Sequence, residues 1–275
     1  MFKPTLQQAK ELSKFKIIPV STEIFSDIRT PIEVLQILKT VSRHCYMLES
    51  LESSDKWGRY TFLGFDPKME ITCTNGEVTI TADTKTVIKN TAPHKYINQI
   101  IEDNHSPKMD YLPPFTGGLV GYFSYDYIKY SEPSLNLDAQ DDEGFKDVDL
   151  MFFDKVIAFD NLKQKIIIIA NAKTDNIEEN YKTSVEEIKK IVNLISNENY
   201  IEPPKGKLKS NFRQLFTKEE YCNMVNKAKH YIKEGDIFQV VLSNRLLLRK
   251  ITKCLFVLAQ ELLPTAFQKM NIKNA

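Results

Sequence analysis

No two of the four cysteines, Cys45, Cys73, Cys222 and Cys254, form a CxxC pair, so the chain offers no zinc knuckle. Its start, Met1-Phe2-Lys3-Pro4, has no basic stretch leading into an apolar one, and no signal peptide is expected there. No apolar run approaches the roughly 20 residues needed to cross a bilayer. These absences point to reduced thiols in a cytoplasmic protein that meets no membrane. An excess of either charge is also missing: 37 basic residues face 36 acidic ones, for a net charge of +1. Nothing electrostatic therefore favours nucleic acid or an anionic bilayer as partner. No nucleophile elbow, Walker loop, zincin helix, dinucleotide fingerprint or internal repeat occurs. The four histidines, His44, His94, His105 and His230, are scattered. His44 precedes Cys45, but neighbours on a strand point to opposite faces, so they predict no metal site. Asp141-Asp142 lies in a polar stretch and is expected to be solvated.

What is present is the composition of a globular protein: 275 residues, 42% hydrophobic and 27% charged. A compact chain of this length buries roughly three quarters of its unfolded surface. Thr30-Pro31-Ile32-Glu33 predicts a helix start, with Thr30 as cap, Pro31 in the first turn and Glu33 closing a capping box. Strands are expected over 45–51 and 60–65. A tight hairpin is expected where Asn75-Gly76 joins 70–74 to 77–81, because that dipeptide accepts positive φ. Residues 93–104 are weakly helical, and 113–123 form a glycine-rich turn feeding an apolar strand. Residues 131–146 form a polar loop. A second hairpin joins 150–159 to 165–171 through Asp160-Asn161-Leu162-Lys163. Its run Ile166–Ile169 suits a strand buried on both faces. A charged helix over 177–196 carries Ile188, Ile191, Val192 and Ile195 on one stripe. A proline- and lysine-bearing linker follows. Thr217 with Glu220 starts another helix, which Gly235 ends, and 237–242 is expected to be a buried strand. Several strands precede a helix–strand unit, so the fold class is α+β, with mixed or antiparallel sheets packed against helices.

Three groups draw chemical interest. Alternation along a strand sends Leu48 and Ser50 to one face and Glu49 to the other. A serine on an apolar face needs a partner, either a ligand or a backbone carbonyl. Gln239 interrupts the apolar run 237–241, and as a core amide it needs hydrogen bonds too. Gly117-Gly118-Leu119-Val120-Gly121 has the glycines of a phosphate loop. It lacks the Lys-Ser/Thr pair and runs into a strand, so backbone crowding against a neighbouring strand explains it better.

Together these segments resemble component I of anthranilate synthase, the large, chorismate-binding subunit, over its N-terminal part. The most specific match is Gly235-Asp236-Ile237-Phe238-Gln239-Val240-Val241-Leu242-Ser243, similar to the opening of that family's chorismate-binding domain. Pro113-Pro114-Phe115 through Gly117-Gly118-Leu119-Val120-Gly121-Tyr122-Phe123, with Tyr125-Asp126, matches further upstream. So do Leu48-Glu49-Ser50, Gly58-Arg59-Tyr60 with Leu63-Gly64, and Met151-Phe152-Phe153-Asp154. The resemblance implies a lyase of tryptophan biosynthesis that turns chorismate and ammonia into anthranilate and pyruvate. It further implies ammonia delivered by a glutamine amidotransferase subunit, a requirement for Mg²⁺, and feedback inhibition by tryptophan. In the family the segment matching Leu48, Glu49 and Ser50 forms part of the tryptophan pocket. Gln239 stands where related water-activating enzymes carry a lysine. It therefore becomes a candidate for the ammonia side of the site, or for a supporting role. Aminodeoxychorismate synthase component I, of the folate pathway, is the alternative within the same fold, and a non-catalytic remnant that binds tryptophan or pairs with a subunit is another.

The implied organisation is an N-terminal region over 1–200, a linker over 201–212 and the start of the chorismate-binding domain over 213–275. After Arg245 the resemblance fades, and the family's Asn-Pro-Ser-Pro-Tyr-Met stretch, which completes the tryptophan site, does not follow. The family's Mg²⁺-binding glutamates, catalytic histidine and chorismate-gripping arginine find no counterparts. The expectation is a chain cut short by truncation or a reading-frame change within 246–255, inactive alone and weak or silent towards tryptophan.

Overall fold

The computed structural model describes residues 1–49, 58–89, 91–132, 134–135, 141, 144–197 and 213–247. Ser50, Asp142 and the expected linker 201–212 lie outside the described residues. The chain divides into two compact units, Met1–Ile201 and Glu202–Ala275.

The first unit runs α1 (Leu6–Glu11), β1 (Ile17–Phe25), α2 (Pro31–Val41), β2 (Cys45–Leu48), β3 (Tyr60–Phe65), β4 (Met69–Thr74), β5 (Glu77–Thr81) and β6 (Lys85–Ile88). It continues with α3 (His94–Asp103), β7 (Gly118–Phe123), β8 (Val148–Phe153), β9 (Lys155–Asp160), β10 (Lys165–Lys173) and α4 (Ile177–Asn197). Two five-stranded antiparallel sheets result, ordered β1-β10-β9-β3-β2 and β6-β5-β4-β8-β7. Helices pack on both, so the architecture is α+β, as the sequence predicts.

The helix starts follow from their caps. Thr30 Oγ1 accepts from the Glu33 N–H at 3.3 Å, and the Glu33 carboxylate accepts from the Thr30 N–H at 2.8 Å. Between them they satisfy two donors that a bare helix end leaves open. Val34, Leu35 and Leu38 of α2, with Ile188, Ile191 and Ile195 of α4, then pack on one face of the first sheet. Ile166 and Ile168 face that layer, while Ile167 and Ile169 face a second one with Leu112 and Val156. Each fully buried isoleucine contributes about 1.5–3 kcal/mol, and here four stand in a row. In the second sheet, Ile97 of α3 covers Ile71, Cys73, Val78, Val148 and Leu150.

Two expectations about strands change. The stretch 150–159 is two strands in different sheets: β8 pairs with β4 and β7, whereas β9 pairs with β10 and β3. The chain crosses between sheets at Asp154, whose carbonyl accepts from both the N–H and the Nδ2 of Asn171 at 3.0 Å. β1 has no counterpart among the strands expected from the sequence. It carries Pro19, which lacks an N–H, and β1 holds an edge of its sheet, where proline is tolerated.

The glycine-rich segment is crowded backbone. A Cβ on Gly121 would lie 2.0 Å from the Asp149 carbonyl oxygen and 2.9 Å from Leu150 Cα. Gly121→Ala is therefore expected to lower unfolding stability by about 1–3 kcal/mol or more, seen as a lower urea midpoint with an unchanged slope. An unchanged midpoint would show that β7 and β8 can separate freely.

The second unit has β11 (Arg213–Gln214), α5 (Lys218–Glu234) and β12 (Leu246–Leu247) among its described residues. Thr217 and Glu220 form the expected capping box, and Gly235 closes α5 with φ 83°. The expected strand over 237–242 is not formed. Phe238 is fully exposed, Val241 is 82% exposed, and none of these residues pairs with a strand among those described. Apolar β-type sequence needs a ladder partner and a covering layer to become a buried strand, and the described residues provide neither. Tyr221 instead holds the segment by donating its hydroxyl to the Leu242 carbonyl at 3.0 Å.

Candidate functional site

The family-like residues Leu48 and Glu49 stand where β2 ends. Cys45–Leu48 pairs with β3 so that Tyr46 opposes Gly64 and Leu48 opposes Phe62. Tyr46, Phe62, Phe115 and Phe153 make an aromatic wall behind this end. The ring of Tyr46 meets Phe153 edge-on at 4.7 Å between centroids, and Phe62 meets Phe115 edge-on at 5.7 Å. Such pairs add about 0.5–1.5 kcal/mol beyond area burial. Leu48 is 47% exposed and Glu49 is exposed. The strand is therefore shorter than the expected 45–51, and Leu48 is not sealed into a core. The Tyr46 hydroxyl is buried without a hydrogen-bond partner among the described residues, and burial pushes its pKa up.

Arg59, from the Gly58-Arg59-Tyr60 match, stands just before β3, at the end of that strand nearer to Leu48. Its Nε and Nη2 donate to the two carboxylate oxygens of Asp160 at 3.0 and 2.7 Å, and its guanidinium lies 4.8 Å from the centre of the Tyr60 ring. Asp160 also accepts from the N–H groups of Leu162 and Lys163. This constellation locks the turn between β9 and β10.

At the crossing between sheets, buried Lys155 reaches Asp66 at 2.8 Å and lies 3.9 Å from Asp154, with its ammonium 5.3 Å from the centre of the Phe65 ring. The Lys155 hydrogen bond leads in holding the Asp66 carboxyl below the usual carboxylate range. Burial raises that of Asp154, against the pull of Lys155 and Lys68. The sequence signal for this cluster was an acid–base pair, Asp154-Lys155, inside an otherwise apolar run.

Gln239 belongs to the second unit and is exposed. The idea of a core amide that must find buried partners is thus corrected, since water can satisfy this side chain. Tyr46 and Asn171 were not singled out from the sequence, and Asp160 and Asp154 figured there only as members of a turn and of a matched segment, because their roles depend on partners far along the chain. Among the described residues no group of three or more His, Cys, Asp or Glu side chains could hold a metal ion. No described helix is long and apolar enough to cross a membrane.

Comparison with known proteins adds a family. Residues 43–256 match the model of the chorismate binding enzyme family. Anthranilate synthase component 1 of Acetivibrio thermocellus is 37% identical over 258 residues, covering 90% of this chain and 51% of that protein. The component 1 of Acinetobacter calcoaceticus is 34% identical over 239 residues, covering 84% of this chain and 47% of that protein. Anthranilate synthase component I of Streptococcus pneumoniae superposes with a TM-score of 0.58 at 24% identity, covering 88% of this chain and 52% of that one. The chain spans about half the length of the curated relatives it matches.

Proposed function

Because the chain belongs to the chorismate binding enzyme family, we propose that it serves as the N-terminal part of an anthranilate synthase large subunit, acting in tryptophan biosynthesis. The observation that carries this reading is the 37% identity over 258 residues to anthranilate synthase component 1 of Acetivibrio thermocellus. In the proposed reaction ammonia adds to the chorismate ring with loss of the hydroxyl as water. Pyruvate is then eliminated as the ring becomes aromatic. A glutamine amidotransferase subunit delivers the ammonia. Mg²⁺, where bound, supplies positive charge to the chorismate carboxylate. The described residues include no group of His, Cys, Asp or Glu side chains fit to hold it.

The part assigned to this chain is tryptophan sensing at Leu48, Glu49 and Ser50. An amino acid's ammonium needs a carboxylate, and Glu49 offers one at the exposed end of β2. An indole needs an apolar wall, and Leu48 stands beside the layer of Tyr46, Phe62 and Phe115. Gln239 is proposed for the ammonia side or a supporting role. An amide is no base, which suits a reaction whose nucleophile is ammonia rather than activated water.

The purified chain with chorismate, Mg²⁺ and ammonium is expected to give no anthranilate fluorescence, and a robust signal would overturn this division of roles. The positive test is a chimera of residues 1–245 with the C-terminal half of the Acetivibrio thermocellus relative. It should form anthranilate and be inhibited by tryptophan. Ser50→Ala should raise the tryptophan concentration for half-inhibition at least about tenfold, or ~1.4 kcal/mol. A folded chimera that makes aminodeoxychorismate would move the chain to the folate pathway.

A further inference from the structure

Four strands form the outer edges of the two five-stranded sheets: β1, β2, β6 and β7. An outer edge presents unpaired backbone N–H and C=O groups, and it recruits another strand unless something blunts it. Three of the four are blunted. β1 carries Pro19, and Lys3 pairs with its Ser21 through two backbone hydrogen bonds, at 2.9 and 2.8 Å. β6 has Lys85 exposed, with Lys89 exposed just beyond it. β2 is four residues long. β7 has none of these devices. Its residues Gly118-Leu119-Val120-Gly121-Tyr122-Phe123 include no charge and no proline. Nothing among the described residues pairs with its outer side. Gly121, Tyr122 and Phe123 are exposed. Since β8 covers one flank of Gly121, it is the other flank that meets water.

We infer that β7 is the contact through which two copies of this chain pair, strand against antiparallel strand, in a two-fold symmetric dimer. The strand is complementary to itself. Opposed residues of antiparallel strands point to the same face, so a strand that pairs with its own copy must centre on a residue. Centred on Gly121, the pairing sets Tyr122 against Val120 of the other copy and Phe123 against Leu119 of the other copy, each twice. Aromatic rings opposite β-branched or aliphatic side chains are favourable cross-strand pairs. Glycine meets glycine at the centre, and no charge meets its like. Centred on Val120 instead, the strand would set Tyr122 against Gly118 and Leu119 against Gly121, and lose those contacts. Phe123 already meets Tyr127 edge-on at 4.9 Å, and Leu119 packs on the core of the second sheet. The paired strands therefore continue one apolar layer. A net charge of +1 keeps long-range repulsion between copies small.

Sedimentation velocity of the full chain is expected to show a monomer–dimer equilibrium. One strand pair lies at the small end of specific interfaces, so a Kd between about 1 and 100 µM is expected. The backbone amides of β7 should exchange more slowly as concentration rises. Tyr122 faces Asp149 of β8 within the chain, so a lysine at this position gains a neighbour of opposite charge. Tyr122→Lys should therefore keep the urea midpoint of the monomer while weakening the dimer at least about tenfold. Val120→Glu should weaken it likewise. Mixed one to one, the two folded variants should form a heterodimer at least about tenfold tighter than either homodimer, because the register sets the new ammonium against the new carboxylate. Val241→Lys, at a residue of the second unit that is 82% exposed, should leave the dimer unchanged. A chain monomeric up to about 300 µM would overturn the inference. So would a dimer untouched by Tyr122→Lys, or one abolished by Val241→Lys, which would place the contact on the exposed run 237–242. A mixture of folded variants that gives no heterodimer would overturn the register centred on Gly121.

Discussion

Replacing Asp160 by asparagine is expected to destabilise the chain by about 3 kcal/mol at neutral pH. Asp160 is only 1% exposed and accepts four hydrogen bonds: two from Arg59 and one each from the N–H groups of Leu162 and Lys163. An asparagine keeps the shape but presents an NH₂ to one of the Arg59 donors and removes the charge. Breaking a buried pair from one side costs about 3–5 kcal/mol. The lower figure applies because the Arg59 side chain is 24% exposed, so water can take over part of its solvation. The damage should centre on the β9–β10 turn and on its register with β3, which hydrogen exchange would locate.

The same site makes a prediction about pH. Burial alone would raise the Asp160 carboxyl. The Arg59 hydrogen bond, the Lys163 N–H, the Arg59 charge and the Leu162 N–H together outweigh it and hold the carboxyl below its ordinary value. A carboxyl lowered in the folded state stabilises in full above its unfolded value of about 3.9. That contribution is lost as pH falls through the lowered folded value. The gap between wild type and Asp160→Asn should therefore be widest near neutrality and narrow below about pH 4. Urea titrations of both proteins across that range measure it, and a gap independent of pH would contradict the assignment. The variant comparison is needed because Asp154 works in the opposite direction. Its carboxyl is raised by burial, so protonation on acidification relieves a cost rather than removing a gain.

Local chemistry was legible where the chain answers to its neighbours. Thr30, Thr217 and Gly235 set helix ends through residues four or fewer positions away. Asn75 and Gly76, at φ 48° and 79°, take the positive angles their turn requires. Ile166–Ile169 declared two buried faces by having no polar member. The crossing at Asp154 was not legible. A ten-residue β-type run has the same pattern whether one sheet or two receive it, and only Asn171, seventeen positions on, decides. Pro19 concealed β1 because an edge position is a property of the sheet, not of the strand. Residues 237–242 show the converse. Their composition calls for a buried strand, yet exposed Phe238 and Val241 have no described layer to cover them. For the candidate site, Leu48 and Glu49 could be found from the sequence, because the segment is a local motif. Tyr46 and Asn171 could not, because an orphaned hydroxyl or amide is defined by what surrounds it in space.

Asp147→Ala is expected to cost about 3–5 kcal/mol, and its coupling to Tyr130 should exceed about 0.5 kcal/mol. Asp147 is buried at the start of β8. It accepts from the Asn75 N–H and the Tyr130 hydroxyl at 2.7 Å each, and from the Lys129 ammonium at 2.8 Å. The Tyr130 oxygen in turn accepts from the Gly76 N–H at 2.7 Å and lies 3.3 Å from Cys73 Sγ. One carboxylate therefore ties the Asn75-Gly76 turn to the 3-10 segment Tyr125–Tyr130 that covers the second sheet. Removing it strands a hydroxyl and a turn N–H together, and leaves the Lys129 ammonium only the Asn75 side-chain oxygen at 2.9 Å and water. Tyr130→Phe strands only the Gly76 N–H and one carboxylate lone pair, so about 1–2 kcal/mol is expected. If the groups act as one network, the double variant should cost less than the sum of the singles, because the second change removes partners already lost. Urea unfolding of the four proteins closes the cycle. Strict additivity would mean that turn and cover are held independently, and that Asp147 anchors the turn alone.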